Sequence, residues 1–284
     1  MNEPAIKNAR FPLPYATPSY STPENIQKNF SSLFPSLGFY PRLLNVVISG
    51  GNLAKQGKYD GAEWNKSSLN TIRALEYCGV KFEISGLEHV MNLHRPCIFT
   101  ANHMGSLETF ALPCLIQNYQ KVTFVIKDSL LRYPYFGPLL AALNPVVVTR
   151  KDARTDLKAM LDGGAERIAN GHSIIIFPQG TRNLVFKPQE FNSIGTKLAR
   201  KTGAPVLPVA LRSDAWGNGW LLKDFGRIHP QLPVRFKFGA AMDVSGNGKE
   251  EHAAILDFIS ANLRGWGVEV QAPPGKNSPR VTTT

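Results

Sequence analysis

The chain has 284 residues and is 43% hydrophobic, which is sufficient for one large α/β domain with an appendage. Its formal net charge of +11 calls for an anionic partner, which can be nucleic acid, anionic lipid or a phosphorylated substrate. The odd number of cysteines and the absence of a C-x-x-C pair argue against a disulfide framework and a zinc site. No apolar run reaches the roughly 18 residues of a membrane span, and no secretory signal is visible, so we predict a cytoplasmic protein.

The predicted elements begin with a Pro-rich, disordered tail over residues 1–24. A helical region is predicted over 25–80, and its aromatic and leucine residues between 30 and 48 permit two interpretations. They can form a segment that contacts the membrane interface, or a helical cap on the main core. A second disordered tail is predicted over 272–284.

Between residues 81 and 271, short β-rich runs alternate with helical patterns. This alternation predicts an α/β fold with a mixed, mostly parallel central sheet of about seven strands, flanked by helices and preceded by the helical appendage. The predicted strands are 81–84, 97–101, 121–126, 145–149, 173–177, 205–211 and 233–238. The predicted helices in this part are 153–169, 193–202 and 249–264.

The first candidate site follows a predicted strand, at the carboxyl end where α/β proteins bind ligands. Asn102 and His103 precede a helix that is predicted to begin at Leu107, with Ser106 as its N-cap. Glu108 lies in the first turn of that helix, so its carboxylate can fold back onto the imidazole. Such a pair favours general-base catalysis, because the carboxylate fixes the tautomer and stabilises the imidazolium.

The second candidate site follows the apolar run 173–177 and has the sequence FPQGTR. Gly180 lets backbone N–H groups approach a ligand, Thr181 adds a hydroxyl, and Arg182 adds a permanent charge whose geometry suits a phosphate. Taken alone, each motif is also compatible with a structural role. No G-x-S-x-G elbow, phosphate-binding loop or H-E-x-x-H pair is present, which favours direct attack by a substrate hydroxyl without a covalent enzyme intermediate.

Four blocks in order resemble those of the glycerolipid acyltransferases, the 1-acyl-glycerol-3-phosphate acyltransferase (lysophosphatidic acid acyltransferase) family. The blocks are Asn102–Glu108, Lys127–Gly137 with Val146–Arg150, Phe177–Arg182 and Ala204–Ala210. The resemblance implies a glycerol-3-phosphate acyltransferase-like fold and an acyltransferase domain over residues 81–271.

The resemblance also implies roles for particular residues. His103 is the implied general base, and Glu108 is its orienting partner. The implied substrate-binding residues are Asn102, Lys127, Arg150, Gln179, Gly180, Thr181, Arg182 and Pro208, with Pro208 on the acyl-donor side. The implied donor is acyl-CoA or acyl-carrier protein, and the implied acceptor is the sn-2 hydroxyl of 1-acyl-glycerol-3-phosphate, giving phosphatidic acid. The resemblance implies no metal and no cofactor, since the acyl thioester is a substrate.

Because such substrates are amphiphiles, the resemblance implies peripheral attachment to the anionic surface of the inner face of the cell membrane. Residues 30–48 and the aromatic residues between 216 and 225 are the candidate contacts. Two alternatives stay open: acylation of another lysolipid or an amino-containing lipid, and a lipid-binding homologue without catalysis. A nucleic-acid binder, the class suggested by charge alone, has no supporting motif.

Two residues depart from the family pattern. Glu108 stands where an aspartate is more usual, and it keeps the charge on a side chain that is one methylene longer. Gln179 stands where a glutamate is more usual. Its neutral side chain leaves a more positive pocket beside Arg182, which suits a phosphate.

Overall fold

The central element of the fold is a mixed sheet. The computed structural model describes residues 13–24, 30–220 and 224–271, and within these residues the sheet has eight strands. The strands are β1 (Tyr20–Ser21), β2 (Phe82–Ser85), β3 (Ile98–Ala101), β4 (Val122–Lys127), β5 (Val146–Val148), β6 (Ser173–Ile176), β7 (Val206–Arg212) and β8 (Val234–Phe238). Their order across the sheet is β1-β2-β8-β7-β3-β6-β4-β5.

Most neighbouring strands run parallel. The strands from β7 through β3, β6 and β4 to β5 form one continuous parallel block, while β8 is antiparallel to β7 and β1 is antiparallel to β2. The register places Phe99 of β3 opposite Ile175 of β6 and Leu207 of β7. Since parallel strands end at the same edge, the segments that follow β3, β4, β5, β6 and β7 all meet there.

Helices cover both faces of the sheet. They are α1 (Phe30–Leu33), α2 (Pro35–Lys55), α3 (Gly61–Tyr77), α4 (Glu88–Met91), α5 (Leu107–Ile116), α6 (Phe136–Ala142), α7 (Ala153–Ala169), α8 (Ile194–Thr202) and α9 (Lys249–Gly265). Successive strand residues point to opposite faces, so each strand contributes to two cores. Phe99 and Ile175 are buried in the core beneath α2, α3 and α5, whereas Ile98 and Ile174 are buried in the core beneath α7, α8 and α9.

The predicted α/β class is confirmed, and the seven predicted strands are present with ends that agree to within one residue. The predicted helices are also present, because their end signals are local. The side chain of Asp152 accepts a hydrogen bond of 2.7 Å from the Thr155 N–H and caps α7. Gly203 adopts a left-handed backbone (φ 69°) and ends α8.

The prediction of a disordered tail over residues 1–24 is wrong for β1. Tyr20–Ser21 pairs with β2, and the Tyr20 hydroxyl donates to the buried carboxylate of Glu76 over 2.5 Å. The Thr22 hydroxyl donates to the same carboxylate oxygen over 2.7 Å. A two-residue strand held by a carboxylate more than fifty positions away has no local β pattern, so the sequence does not reveal it. Residues 1–12 and 272–284 of the two predicted tails lie outside the described residues.

Within the region predicted to be helical over 25–80, the described residues form α1, α2 and α3. Phe39 of α2 is completely buried in the core, as expected for a helical cap. The same helix exposes Leu37 and Leu44 on its outer side, as expected for an interfacial segment. In the described part of the chain, no helix is both long enough and apolar enough to span a bilayer.

Candidate active site

His103 and Glu108 are in direct contact at the carboxyl end of β3. The Nδ1–H of His103 donates to Oε1 of Glu108 over 2.9 Å. The Glu108 side chain is completely buried, and the His103 side chain keeps 12% of its surface exposed. Because Nδ1 is engaged by the carboxylate, Nε2 is the nitrogen that can take a proton from a bound hydroxyl.

Several donors hold Glu108 in its charged form. The backbone N–H groups of Met104 and Gly105 donate to Oε1 over 2.7 and 2.9 Å, and the Ser213 hydroxyl donates to Oε2 over 2.5 Å. Burial raises the pKa of Glu108, but the hydrogen bonds from His103, Ser213 and Gly105 outweigh burial and hold that pKa below its ordinary value. The carboxylate is therefore ionised at neutral pH and can stabilise an imidazolium.

Ser106 is the N-cap residue of α5, which begins at Leu107 as predicted, but its side chain does not make the expected capping hydrogen bond. Ser106 has helical backbone angles (φ −81°, ψ −26°) instead of the extended angles that direct a capping hydroxyl toward the first turn. Its hydroxyl instead donates to Oδ1 of Asp224 over 2.7 Å. The backbone N–H groups of Met104 and Gly105, which precede the helix, donate to the carboxylate of Glu108.

The second motif joins the first through the backbone of His103. Oε1 of the buried Gln179 accepts a hydrogen bond of 2.7 Å from the His103 N–H. The Asn183 N–H donates to the His103 carbonyl over 3.0 Å. The Phe177 ring stacks on the imidazole with 4.4 Å between centroids and 20° between planes. The segments after the adjacent strands β3 and β6 therefore form a single site.

Asn102 is buried and paired with the backbone of β7. Its Oδ1 accepts from the Leu211 N–H and its Nδ2 donates to the Leu211 carbonyl, each over 2.8 Å. These two bonds fix the start of the segment that carries His103. Asn102, a predicted substrate-binding residue, therefore positions the segment of His103 in this structure.

Arg182 lies at the same edge of the sheet and is paired with an internal carboxylate. Its Nη1 is 2.5 Å from Oδ1 of Asp224, the same oxygen that accepts from Ser106. Burial raises the pKa of Asp224, but the hydrogen bonds from Ser106 and Arg182 outweigh it and lower that pKa. Arg182, the residue predicted to bind phosphate, therefore lies at the site and is paired with a carboxylate.

Arg150 reaches the second motif from the end of β5. Its Nη1 donates to the Gly180 carbonyl over 3.0 Å. Its backbone is left-handed (φ 59°), a conformation that residues other than glycine rarely adopt and that is frequent at functional sites. Gly180, Thr181 and Lys127 are exposed at this edge. Arg150, Arg182 and Lys127 bring three basic side chains to this edge, which we call the basic edge.

Pro208 lies within the sheet and not in a segment beyond its carboxyl edge. It is buried inside β7 opposite Thr100, three residues before His103 on the neighbouring strand. Its ring packs toward Gly239, where an added Cβ would come within 2.8 Å of Pro208 Cγ. The implied part of Pro208 on the acyl-donor side stays a prediction.

The segment between β7 and β8 contributes residues that sequence reasoning missed. We call residues 213–220 and 224–230 the site loop. It supplies Ser213 and Asp224, described above, and Asn218, whose Nδ2 donates to the Met104 carbonyl over 3.2 Å. Polar residues in a long connection, far along the chain from either motif, carry no spacing signal that identifies them.

The site loop is packed against the N-terminal helices. The buried ring of Trp216 contacts the ring of Phe39 with 4.8 Å between centroids. The Ile228 N–H donates to the Ser36 hydroxyl over 3.1 Å, and the Tyr40 hydroxyl donates to the Gly226 carbonyl. Helix α2 therefore supports the loop that carries Ser213 and Asp224.

This arrangement suits proton abstraction from a hydroxyl on an anionic substrate. It combines a base, an ionised carboxylate that orients the base, and cations at one sheet edge. In the described residues, no group of three or more His, Cys, Asp or Glu side chains is placed to hold a metal ion.

Comparison with known proteins places the chain in a family. The family model described as Acyltransferase matches residues 81–212. The 1-acyl-sn-glycerol-3-phosphate acyltransferase of Pseudomonas aeruginosa is 32% identical over 204 residues, which are 72% of this chain and 74% of that protein. The enzyme of the same name from Borreliella burgdorferi is 31% identical over 176 residues, 57% of this chain and 65% of that protein.

A solved structure supports the fold. The crystal structure of the 1-acyl-sn-glycerophosphate (LPA) acyltransferase PlsC from Thermotoga maritima aligns with a TM-score of 0.62 and 22% identity, covering 85% of this chain and 98% of that chain. The acyltransferase-like fold expected from the four blocks is thus confirmed. Given this fold and the extent of the Pseudomonas match, the chain belongs to the 1-acyl-glycerol-3-phosphate acyltransferase family of O-acyltransferases.

Proposed function

We propose that this chain transfers a fatty acyl group from acyl-CoA or acyl-carrier protein to the sn-2 hydroxyl of 1-acyl-glycerol-3-phosphate, forming phosphatidic acid. The observation that carries the proposal is the 2.9 Å contact between His103 and Glu108, with Arg182 at the same sheet edge. The names of the bacterial relatives specify the same acceptor, which supports its assignment to this chain.

In the proposed reaction, Nε2 of His103 takes the proton of the sn-2 hydroxyl while the hydroxyl oxygen attacks the thioester carbonyl carbon. The ionised Glu108 stabilises the imidazolium that forms. The tetrahedral intermediate then collapses, the C–S bond breaks, and the imidazolium returns its proton to the leaving thiolate. Backbone N–H groups near the site stabilise the oxyanion. No covalent enzyme intermediate, metal or further cofactor enters this scheme.

The proposed acceptor site uses the basic edge. Arg182 and Arg150 bind the phosphate, since guanidinium groups match phosphate oxygens in charge and geometry. The departure at Gln179 is compatible with activity, because its side chain is buried and its oxygen accepts from the His103 N–H. A carboxylate oxygen at that position could accept the same hydrogen bond.

The direct test is acyl transfer by the purified protein. A labelled acyl-CoA and a labelled acyl-carrier protein are each incubated with lysophosphatidic acid, lysophosphatidylethanolamine, lysophosphatidylcholine and an amino-containing lysolipid. We expect labelled phosphatidic acid as the main product. Release of free thiol without an ester product would indicate a thioesterase, and absence of both would support a lipid-binding homologue.

Arg182→Ala is expected to raise the KM for lysophosphatidic acid by about 10- to 100-fold, because a hydrogen-bonded charge pair with the phosphate is lost. Initial rates over a range of acceptor concentrations measure the change. Arg95→Ala is a matched control, since Arg95 also pairs with an aspartate, Asp243, but precedes β3 at the opposite sheet edge. An acceptor KM that does not change in Arg182→Ala would remove Arg182 from phosphate binding.

We further propose that the enzyme docks on the anionic membrane surface through an apolar strip of Leu37, Tyr40, Leu44 and Phe225. The three α2 residues recur every three or four positions, so they share one side of the helix. The Tyr40 and Phe225 rings stack with 5.4 Å between centroids, which continues the strip onto the site loop. Leu37 is 68% exposed, and Trp220, also on the site loop, is 99% exposed. Amphipathic surfaces of this kind bind the boundary between headgroups and acyl chains.

Replacing Leu37 and Leu44 together by serine is expected to lower binding to phosphatidylglycerol-containing vesicles by at least about tenfold, because two apolar side chains no longer enter the interface. Co-sedimentation with vesicles measures the bound fraction. Leu157→Ser, which changes an exposed leucine of α7, serves as the control. Equal vesicle binding by the double variant and the control would rule out the strip as the membrane contact.

A further inference from the structure

We propose that Asp224 tunes the affinity of the acceptor site: its carboxylate occupies an anion-binding position made by Ser106 and Arg182, and the phosphate of the acceptor displaces it. The inference rests on the proposed function for the identity of the acceptor. It also makes a prediction for inorganic phosphate that requires no catalysis.

The geometry defines the anion-binding position. A single oxygen, Oδ1 of Asp224, accepts from the Ser106 hydroxyl over 2.7 Å and from Nη1 of Arg182 over 2.5 Å. The two donors come from different motifs, one after β3 and one after β6, and they converge on one anionic oxygen. A hydroxyl and a guanidinium that converge in this way can equally bind a phosphate oxygen. Ser106 thereby becomes a phosphate ligand in addition to Arg182.

The carboxylate at this position is easily displaced. The Asp224 side chain is 55% exposed, and ion pairs exposed to this degree contribute little net free energy. A phosphate monoester carries a charge of about −1.5 to −2 at pH 7 and offers three acceptor oxygens, so it competes well with one carboxylate. Glu108 shows the opposite case, since it is completely buried and bound by donors from the loop and from Ser213.

Displacement requires motion of the side chain alone. The indole N–H of the buried Trp216 donates to the Asp224 carbonyl over 3.1 Å, so the backbone of Asp224 is anchored to the core. Rotation about the side-chain bonds of Asp224 is sufficient to free Ser106 and Arg182. The free energy needed to move Asp224 away is then the same for any ligand that uses the position.

The test compares Asp224→Asn with the wild-type enzyme, using lysophosphatidic acid as substrate and inorganic phosphate as a competing ligand. We expect the acceptor KM to fall about two- to fivefold, the range that corresponds to loss of a partly exposed ion pair. The dissociation constant of inorganic phosphate, measured by ³¹P NMR line broadening, is expected to fall by the same factor. Asp243→Asn, which removes a carboxylate from the Arg95 pair at the opposite edge, should change neither value.

A second variant isolates the part of Ser106. Adding Ser106→Ala to Asp224→Asn removes one donor from the anion-binding position, and both constants should rise about three- to tenfold relative to Asp224→Asn alone. Thermal unfolding midpoints of the variants verify that each is folded.

The inference is overturned if Asp224→Asn raises the acceptor KM or leaves the affinity for inorganic phosphate unchanged, because Asp224 would then orient Arg182 instead of competing with the ligand. Failure of the proposed function gives a different pattern. In that case lysophosphatidic acid is not acylated by the wild type, while Asp224→Asn still binds inorganic phosphate more tightly.

Discussion

Replacement of His103 by alanine is expected to lower kcat for acyl transfer by about 10²–10⁴-fold, the usual contribution of a general base. The variant lacks the Nε2 that takes the proton of the acceptor hydroxyl, while Arg182 and Arg150 stay in place to bind the phosphate. The acceptor KM should therefore change much less than kcat. Initial rates with saturating acyl donor and variable lysophosphatidic acid separate the two constants.

His172→Ala is the matched control for this variant. His172 lies immediately before β6, at the edge of the sheet opposite to the site, and its ring contacts the Asn170 carbonyl. Its removal should leave kcat within about twofold of wild type, as for a surface change outside the site. A His103→Ala enzyme that retained more than a tenth of the wild-type kcat would show that another group accepts the proton.

Glu108→Gln is expected to lower kcat by about 10²–10⁴-fold while the protein stays folded. The amide has nearly the shape of the carboxylate and can still accept from the Met104 and Gly105 N–H groups. It carries no charge, however, so it cannot stabilise the imidazolium of His103 in the transition state. Kinetic assay, with circular dichroism to verify folding, tests this expectation.

Glu108→Ala distinguishes structural from catalytic effects. Removal of the carboxylate in Glu108→Ala leaves buried donors without an acceptor and should lower the unfolding free energy by about 3–5 kcal/mol. Glu108→Gln should lower it by about 1–2 kcal/mol. Urea denaturation measures both values. If Glu108→Gln were as active as wild type, the carboxylate would have a structural part alone.

The lowered pKa of Glu108 also predicts how stability depends on pH. The pKa of this group is lower in the folded than in the unfolded state, so its contribution is complete above the ordinary carboxyl value of about 4.3. The contribution decreases as the pH falls below that value, through the lowered pKa of the folded state. The difference in unfolding free energy between wild type and Glu108→Gln should accordingly shrink as the pH falls from about 5 to below about 4.

Much of the fold could be predicted because its signals are local. Strands such as β3 and β6 are short apolar runs, and the ends of α7 and α8 are set by Asp152 and Gly203. The contact between His103 and Glu108 was predictable for the same reason, since both residues lie in one short segment between a strand and a helix. The resemblance of four ordered blocks then joined segments that are distant in sequence.

The rest of the site depends on contacts that only the folded chain creates. Ser213 donates to Glu108 across 105 positions, and Asp224 accepts from Ser106 across 118. Neither residue belongs to a motif, and a serine or aspartate in a long connection is ordinary in sequence terms. The side-chain capping bond expected from Ser106 is absent for the same reason, because the capping rule considers neighbours along the chain and not the carboxylate that reaches Ser106 from the site loop.

The packing of the site loop on α2 decides how this enzyme can be divided or recombined. The segment that matches the family model starts at residue 81, yet Trp216 is buried against Phe39, and Ile228 is hydrogen-bonded to Ser36. A chimera that received the chain from residue 81 through the site loop, but not α2, would carry both motifs and yet leave uncovered the indole of Trp216, which anchors the backbone of Asp224. The N-terminal helices and the catalytic segment therefore have to be transferred or redesigned together in any chimera.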